Sequence, residues 1–520
     1  MVVRTLLIAA LLTLAGESCL AQAETERSYL RPGTAEVGGI SDLCLIYHGR
    51  QARVPWTKEA LMPYVAHVDE QGTPQDWMFD SFLFIEFATD GGAMLHYYAK
   101  DKVQATAADW VWLADCWFRE ETGLIGLEQA VAAAGQALGD ADHTVGVVIT
   151  VPKPLAEIAS FGPLAGETDT LDLSREESGQ KVLAWYIERV LAQWGEHEYP
   201  HLRLLGFYWL AEGIGQGEHD LVKWTAEHVH ERGYRLYWIP YFGAGGLQEW
   251  RNLGIDATML QPNYFFHENA TLYRFLATTK RALKAGSGIE IEFDGRALTD
   301  DTFRDKFYAY LDAGVYYGWM NDALLGYYEG GGAVKLFAET PGTGRELYDA
   351  VYRFVKGTYE MSGRTDFSGL ELVARDNSDN LALASKGAKI HGCVRRDDYP
   401  ELVPEKIIDG DMDNYGGMYG FGFFAWPNSF TIELPEAATV ARTQTMLHDS
   451  VGQSFRYRIE TSLDNQNWEP AVDKSEGEWQ GWQVDKFAPR QAKYIRFTGL
   501  YNSANQNFQV IEFEVYPTHD

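Results

Sequence analysis

The sequence predicts an α/β (β/α)8 barrel followed by an all-β sandwich. Three observations carry that expectation. Eight short apolar, β-branched or aromatic runs alternate with helix-like stretches between residues 40 and 362. Most of the intervening stretches begin beside Ser, Thr, Asp or Asn, and several end in Gly, the residues that start and stop helices. Past residue 372 the helical periodicity disappears, and short strand-like runs between turn residues take over.

In chain order the strand-like runs are 42–49 "DLCLIYHG", 81–89 "SFLFIEFAT", 144–152 "TVGVVITVP" and 202–213 "LRLLGFYWLAEG". The next four are 234–243 "YRLYWIPYFG", 256–266 "DATMLQPNYFF", 288–295 "GIEIEFDG" and 314–322 "GVYYGWMND". The helical patterns include "SREESGQKVLAWYIERVLAQWG", "EHDLVKWTAEHVHERG", "NATLYRFLATTKRALKAG", "TDDTFRDKFYAYLDAG" and "GTGRELYDAVYRFVKG". Eight strand–helix units over such a span indicate a barrel rather than a doubly wound open sheet. The segment 372–520, with "SFTIELP", "FRYRIETSLDNQNWEP", "KYIRFTGL" and "QVIEFEVY", reads as the β-sandwich.

The first residues read as a secretory signal peptide, 1–23. Arg4 supplies the positive start, Leu6–Ala15 the apolar run, and Ala21-Gln22-Ala23 the small-x-small cleavage site. The run is too short to span a bilayer. A secreted or periplasmic location is expected, with a lipid anchor on Cys19 as the alternative. Removing Cys19 leaves Cys44, Cys116 and Cys393, an odd number at spacings that match neither a disulfide framework nor a zinc site.

A net charge of −30 argues against nucleic acid and anionic membranes as partners. Aromatic residues make up 14% of the chain, with 16 Trp and 29 Tyr, which suits both large cores and platforms for sugar rings. A monomer acting on a polysaccharide or glycoconjugate is expected.

The chemistry centres on "GSGIEIEFDGRAL", residues 286–298, where Glu290, Glu292 and Asp294 alternate with apolar residues. On a strand such acids share one face. Glu292 and Asp294 fall near the end of the seventh strand, and Glu212 ends the fourth. Barrel active sites are built at the C-terminal ends of the strands. Two carboxylates facing one pocket can hydrolyse a glycosidic bond, one as acid and one as nucleophile or base. Glu212 is therefore the expected acid/base and Glu292 the nucleophile, with Asp294 the alternative nucleophile and Glu290 a supporting acid one layer deeper. His48, Tyr208, Tyr241, Asn263, Trp319, Asp322 and Asp294 are the expected substrate contacts.

Two motif matches fail on physical grounds. "HEYPH" (197–201) matches a zinc-protease pattern that needs one helical face, but Pro200 breaks the helix. "GIGQGE" (213–218) has its third Gly one place early for a dinucleotide loop and follows the fourth strand.

The segments "NLALASKGA", "KIIDGDMDN", "SFTIELP", "YRIETSLDNQNWEP" and "AKYIRFTG…VIEFEVY" resemble the discoidin, or coagulation factor V/VIII type C, family, which includes family-32 carbohydrate-binding modules. The resemblance implies a structural Ca2+ held by Asp409, Asp411 and Glu512, although Asn414 stands where the family carries Thr. Oxygen-only ligands suit calcium. It also implies ligand binding by loop tips, for which "YGGMYGFGFFAWPN" (415–428) is the candidate. The barrel segment resembles the bacterial family known as domain of unknown function 4855, through "LCLIYHG", "FYWLAEGI" and "GIEIEFDG". Its architecture is similar to retaining glycosidases, which carry Asn where Ala211 stands here.

The expected activity is that of a secreted, retaining glycoside hydrolase needing no cofactor for catalysis. The alternatives are a non-catalytic glycan-binding protein and a polysaccharide lyase. The lyase needs a basic clamp, for which the strand ends offer little beyond Lys153. A metal-dependent hydrolase needs several converging His and Asp, and the strand ends offer mainly His48.

Overall fold

The computed structural model describes residues 28–519, apart from 268–269, 369, 373–376, 393–402, 411–420, 425 and 449–452. The leader with Cys19, the residues Cys393 and Asp411, and half of the aromatic loop 415–428 (415–420 and 425) therefore lie outside the described residues.

Eight parallel strands close into a ring: β1 (Asp42–Tyr47), β2 (Ser81–Ile85), β3 (Val145–Val151), β4 (Leu202–Trp209), β5 (Arg235–Trp238), β6 (Ala257–Leu260), β7 (Gly288–Glu292) and β8 (Leu325–Tyr328). Spatial order follows chain order, and β8 returns to β1 with Asp42 opposite Leu325. β1, β2 and β3 are buried along their whole length, as expected of strands covered on both faces. Gly288 opens β7 because only hydrogen fits there: a Cβ would lie 2.2 Å from the Leu324 carbonyl oxygen.

Helices cover the ring. The main ones are α1 (Lys58–Val65), α2 (Ala107–Cys116), α3 (Leu124–Leu138), α4 (Glu176–Gly195), α5 (His219–His230), α6 (Tyr273–Ala285) and α7 (Asp301–Tyr316). Thr57 caps α1 and Asp300 caps α7 through side-chain oxygens. Gly139 and Gly286 end α3 and α6 in the left-handed conformation. A chain of turns rather than a helix joins β5 to β6.

The eighth strand differs from expectation. Residues 314–322 are not a strand: α7 runs on through Tyr316, and Trp319–Asp322 form a short helix, α8, ahead of β8. The aromatic run "VYYGW" mimics a strand but packs as the end of an amphipathic helix. The strand is the following "LGYY", and after it come Gly330–Gly332 and the helices α9 (Ala333–Glu339) and α10 (Thr343–Val355).

The C-terminal part is an antiparallel all-β unit. Its strands are β9 (Lys389–His391), β10 (Phe421–Phe424), β11 (Asn428–Leu447), β12 (Phe455–Ser462), β13 (Glu469–Trp479), β14 (Trp482–Asn502) and β15 (Asn507–Tyr516). They pair in the order β10-β15-β11-β14-β12-β13, with β9 on β11. β11 shifts register between Glu433 and Ala438 and again between Val440 and Arg442, as bulges that bend a sheet do. The alternating residues of the strands meet in a core where the rings of Phe430, Phe497 and Phe513 contact one another. Each such buried side chain contributes about 1.5–3 kcal/mol.

Candidate active site

The mouth of the barrel encloses a pocket of about 240 Å³. Glu212 reaches it from the turn after β4, Glu290 and Glu292 from β7, and Gln261 and Asn263 from the turn after β6. Aromatic residues make the opposite wall: Tyr47 at the end of β1, Tyr328 at the end of β8, and Phe87 and Phe266 at the rim. Tyr47 and Tyr328 meet edge to face at 5.5 Å, and Phe266 meets Tyr328 in the same way at 5.2 Å.

The turn carrying Glu212 is pinned by its neighbours. Trp238 donates its indole N–H to the Ala211 carbonyl at 2.8 Å, and the Tyr241 N–H bonds the Glu212 carbonyl at 3.2 Å. Asn263 sits at a positive φ of 51°, a conformation Asn tolerates better than most residues. Its Oδ1 accepts the Phe242 N–H at 2.7 Å, which fixes the amide so that Nδ2 reaches Glu292. Tyr310, on α7, donates its hydroxyl to the other oxygen of Glu292.

Burial raises all three acids. Glu292 is pushed up to about 7 by burial and by the charge of Glu212, against the hydrogen bonds from Tyr310 and Asn263 that favour its ionised form. Burial raises Glu212, and a hydrogen bond with the Gln261 side chain opposes the rise. Glu290 is raised furthest above its ordinary range, by burial and then by Glu292 and Glu212. The three carboxyls therefore feel one another across one pocket.

Of the remaining expected contacts, Tyr208 lines the pocket. Tyr241 stands at the mouth beside Gly213 but outside the pocket wall. Asp294 caps the turn after β7 and is clamped by Arg296 at 2.8 Å, so it does not face the pocket. His48 is a correction. Its Nε2 bonds the Cys116 carbonyl at 2.8 Å within the helical layer, and burial pushes it down to about 4. Trp319 and Asp322 are corrections of a different kind. They belong to α8 at the N-terminal end of β8, the far end of the barrel, where Trp319 is buried and bonds Thr279. The sequence reading misses Tyr328, Phe87 and Phe266 in the pocket lining, and Tyr310, which stands behind it and bonds Glu292.

The decoys have structural roles. His197 bonds the Gln193 carbonyl and His201 the His143 carbonyl, so "HEYPH" holds no common ligand face. Lys153 is engaged by Glu218. Cys44 and Cys116 are free and buried. Among the described residues no group of three or more His, Cys, Asp or Glu is placed to hold a metal, and no helix is long and apolar enough to cross a membrane. Of the expected calcium ligands, Glu512 is buried and both its oxygens lie 3.2 Å from the Gly410 N–H. The Asp409–Gly410 turn and Glu512 thus stand together through the Gly410 N–H.

A closed (β/α)8 barrel with a carboxylate-lined mouth, carried with a discoidin-like β-module, defines the class of this protein. The chain belongs to the family described as domain of unknown function (DUF4855), whose model matches residues 42–353, and residues 393–513 match the F5/8 type C domain. BTB/POZ domain-containing protein 9 of Homo sapiens is 30% identical over 140 residues, 26% of this chain and 22% of that protein. The Drosophila melanogaster protein of the same name is 27% identical over 118 residues, 22% of this chain and 16% of that protein. The chain thus spans about a fifth of the length of these curated relatives. Among solved structures, chitosan-binding module 1 from a chitosanase/glucanase of Paenibacillus sp. IK-5 is similar at 23% identity. It covers 26% of this chain and 98% of its own, with a TM-score of 0.22. The CBM32 of AlyQ is similar at 19% identity, covering 25% of this chain and 95% of its own, with a TM-score of 0.22.

Proposed function

We propose that the chain is an exported glycoside hydrolase whose paired carboxylates are Glu212 and Glu292. The observation that carries the reading is their convergence on one pocket at the barrel mouth, with Gln261 and Asn263 between them. Glu212 protonates the leaving oxygen. Glu292 attacks the anomeric carbon, breaking the glycosidic bond and forming a glycosyl ester. Water, activated by the now ionised Glu212, then cleaves that ester and restores both groups. The donors on Glu292 favour its ionised form, which suits the nucleophile. Retention of configuration at the anomeric carbon is the expected outcome.

The F5/8 type C module holds the barrel near glycans and raises its local concentration. We propose that a structural Ca2+ binds this module with Glu512 and the Asp409 turn among its ligands; the third expected ligand, Asp411, lies outside the described residues. The lyase alternative lacks its cation: Arg53 stacks over Tyr47 at 4.6 Å but is bound to Glu86.

The test is digestion of a broad glycan panel by the wild type, Glu212→Gln and Glu292→Gln. Cleavage by the wild type that falls by about 10²–10⁴ in each variant supports the reading. Equal cleavage by all three overturns the sites. Binding without any cleavage favours a non-catalytic glycan-binding barrel.

A further inference from the structure

Two carboxyls suffice for glycoside hydrolysis, and the pocket holds three. Glu290 is 2% exposed, lines the pocket, and accepts no hydrogen bond from any described residue. Gly326 is its partner on β8, and no side chain intervenes between the two. No Lys, Arg or His lines the pocket among the described residues. The nearby cations are committed elsewhere: Arg53 and Arg50 to Glu86, Arg296 to Asp294, and Lys153 to Glu218. Ionised, a buried carboxyl without a counter-charge is costly, so Glu290 keeps its proton until a cation enters the pocket to pair with it.

We propose that the pocket takes a sugar unit bearing a free amine, with its ammonium against Glu290. An ammonium offers three donors and the missing positive charge. A neutral hydroxyl offers one donor and no charge, and a uronate or sulfate brings a further acid into a pocket that already holds three. The geometry agrees. Glu290 lies one layer below Glu292, about 7 Å along the strand. A ring whose reacting carbon faces Glu292 turns an adjacent substituent toward that deeper layer. At about 240 Å³ the pocket is below the range that takes drug-sized ligands, which suits a single sugar unit. The inference rests on the same pocket as the hydrolase reading, and a binding measurement separates the two.

The test is calorimetric titration of the full chain with three hexosamines (glucosamine, galactosamine, mannosamine), their N-acetyl forms, their parent hexoses, and glucuronate. At least one amine is expected to bind tenfold or more tighter than both its hexose and its N-acetyl form, with glucuronate undetectable. Glu290→Gln, a near-isosteric change, is expected to erase that preference. Equal binding of amine and hexose by the wild type overturns the proposal, whatever the variant does. A preference that survives Glu290→Gln overturns the role of Glu290. Amine-selective binding without cleavage of any amino-sugar oligomer keeps this inference and sinks the hydrolase reading. Cleavage of neutral glycans without amine preference does the reverse.

Discussion

Asn263 donates one side-chain nitrogen to Glu292 at 3.3 Å and to Gln261 at 2.8 Å. Gln261 in turn donates to the Ile239 carbonyl at 3.1 Å and shares a hydrogen bond with Glu212. Two amides thus connect carboxyls that arrive from strands three places apart around the ring. Asn263→Ala removes the donor to Glu292 and the acceptor for the Phe242 N–H, and puts a less tolerant residue at positive φ. The expected result is a 10- to 100-fold loss in kcat with little change in KM, and a destabilisation of about 1–3 kcal/mol. Steady-state kinetics and chemical denaturation read both. An unchanged kcat would mean that Glu292 needs no orientation from Asn263.

Tyr310 illustrates what the sequence could not reveal. The acids were legible because strand alternation and the barrel rule place strand-end residues at the mouth. Tyr310 lies mid-helix in "KFYAYLDAG", where nothing distinguishes it from a core aromatic. Only the packing of α7 on β7 brings its hydroxyl to Glu292. Tyr328 was missed for another reason: aromatic residues at the end of α7 imitated a strand and displaced β8 by about ten residues. Seven strands were legible because buried parallel strands are continuous apolar runs between turn signals. The eighth was not, since short runs of that kind also occur in helices.

Tyr310→Phe removes a donor that holds the Glu292 carboxyl down, so its pKa rises above about 7. The ionised nucleophile becomes scarcer at pH 6, and kcat/KM there is expected to fall about tenfold or more. The pH profile decides: a uniform drop with no displacement of its limbs would show that Tyr310 acts only by packing.

The wild-type profile has a sign of its own. Glu292 must be ionised to attack, and burial pushes it up to about 7, while burial also raises Glu212 and keeps its proton for the leaving oxygen. kcat/KM is therefore expected to rise about tenfold per unit as pH climbs from 5 toward 7, and to fall once Glu212 loses its proton. A rate that is flat between pH 5 and pH 7 would rule out Glu292 as the nucleophile.

In the β-module, Glu512 faces the Asp409–Gly410 turn while fully buried. Calcium is expected to raise the melting temperature of the module's transition by several degrees, and Glu512→Gln to abolish the rise. Scanning calorimetry in EDTA and in millimolar calcium reads it. A calcium effect of equal size in the variant would remove Glu512 from the ligand set.

The same burial that prepares the mouth for chemistry weakens the fold at high pH. Glu292 and Glu329 are 3% and 1% exposed, and burial pushes each up to about 7. Asp42, at the opposite end of the barrel, is pushed up to about 8 by burial and by Asp80. A folded-state pKa above the unfolded one means that the native state binds more protons in the interval between them. Stability is then fully present below about pH 4.5 and is lost as pH rises through 7. Each glutamate contributes about 3 kcal/mol to that loss. Glu329 accepts the Tyr64 hydroxyl and the Val334 N–H on Oε2 and the Gly332 N–H on both oxygens, of which a glutamine keeps the acceptor at Oε2. Denaturant unfolding of the barrel at pH 5 and pH 8 is expected to show lower stability at pH 8. Glu292→Gln or Glu329→Gln should each narrow the difference by about 2–3 kcal/mol, leaving Glu292→Gln inactive yet more stable than wild type at pH 8. Equal stability of the wild type at both pH values would mean that these carboxyls are solvated, and the pocket with them.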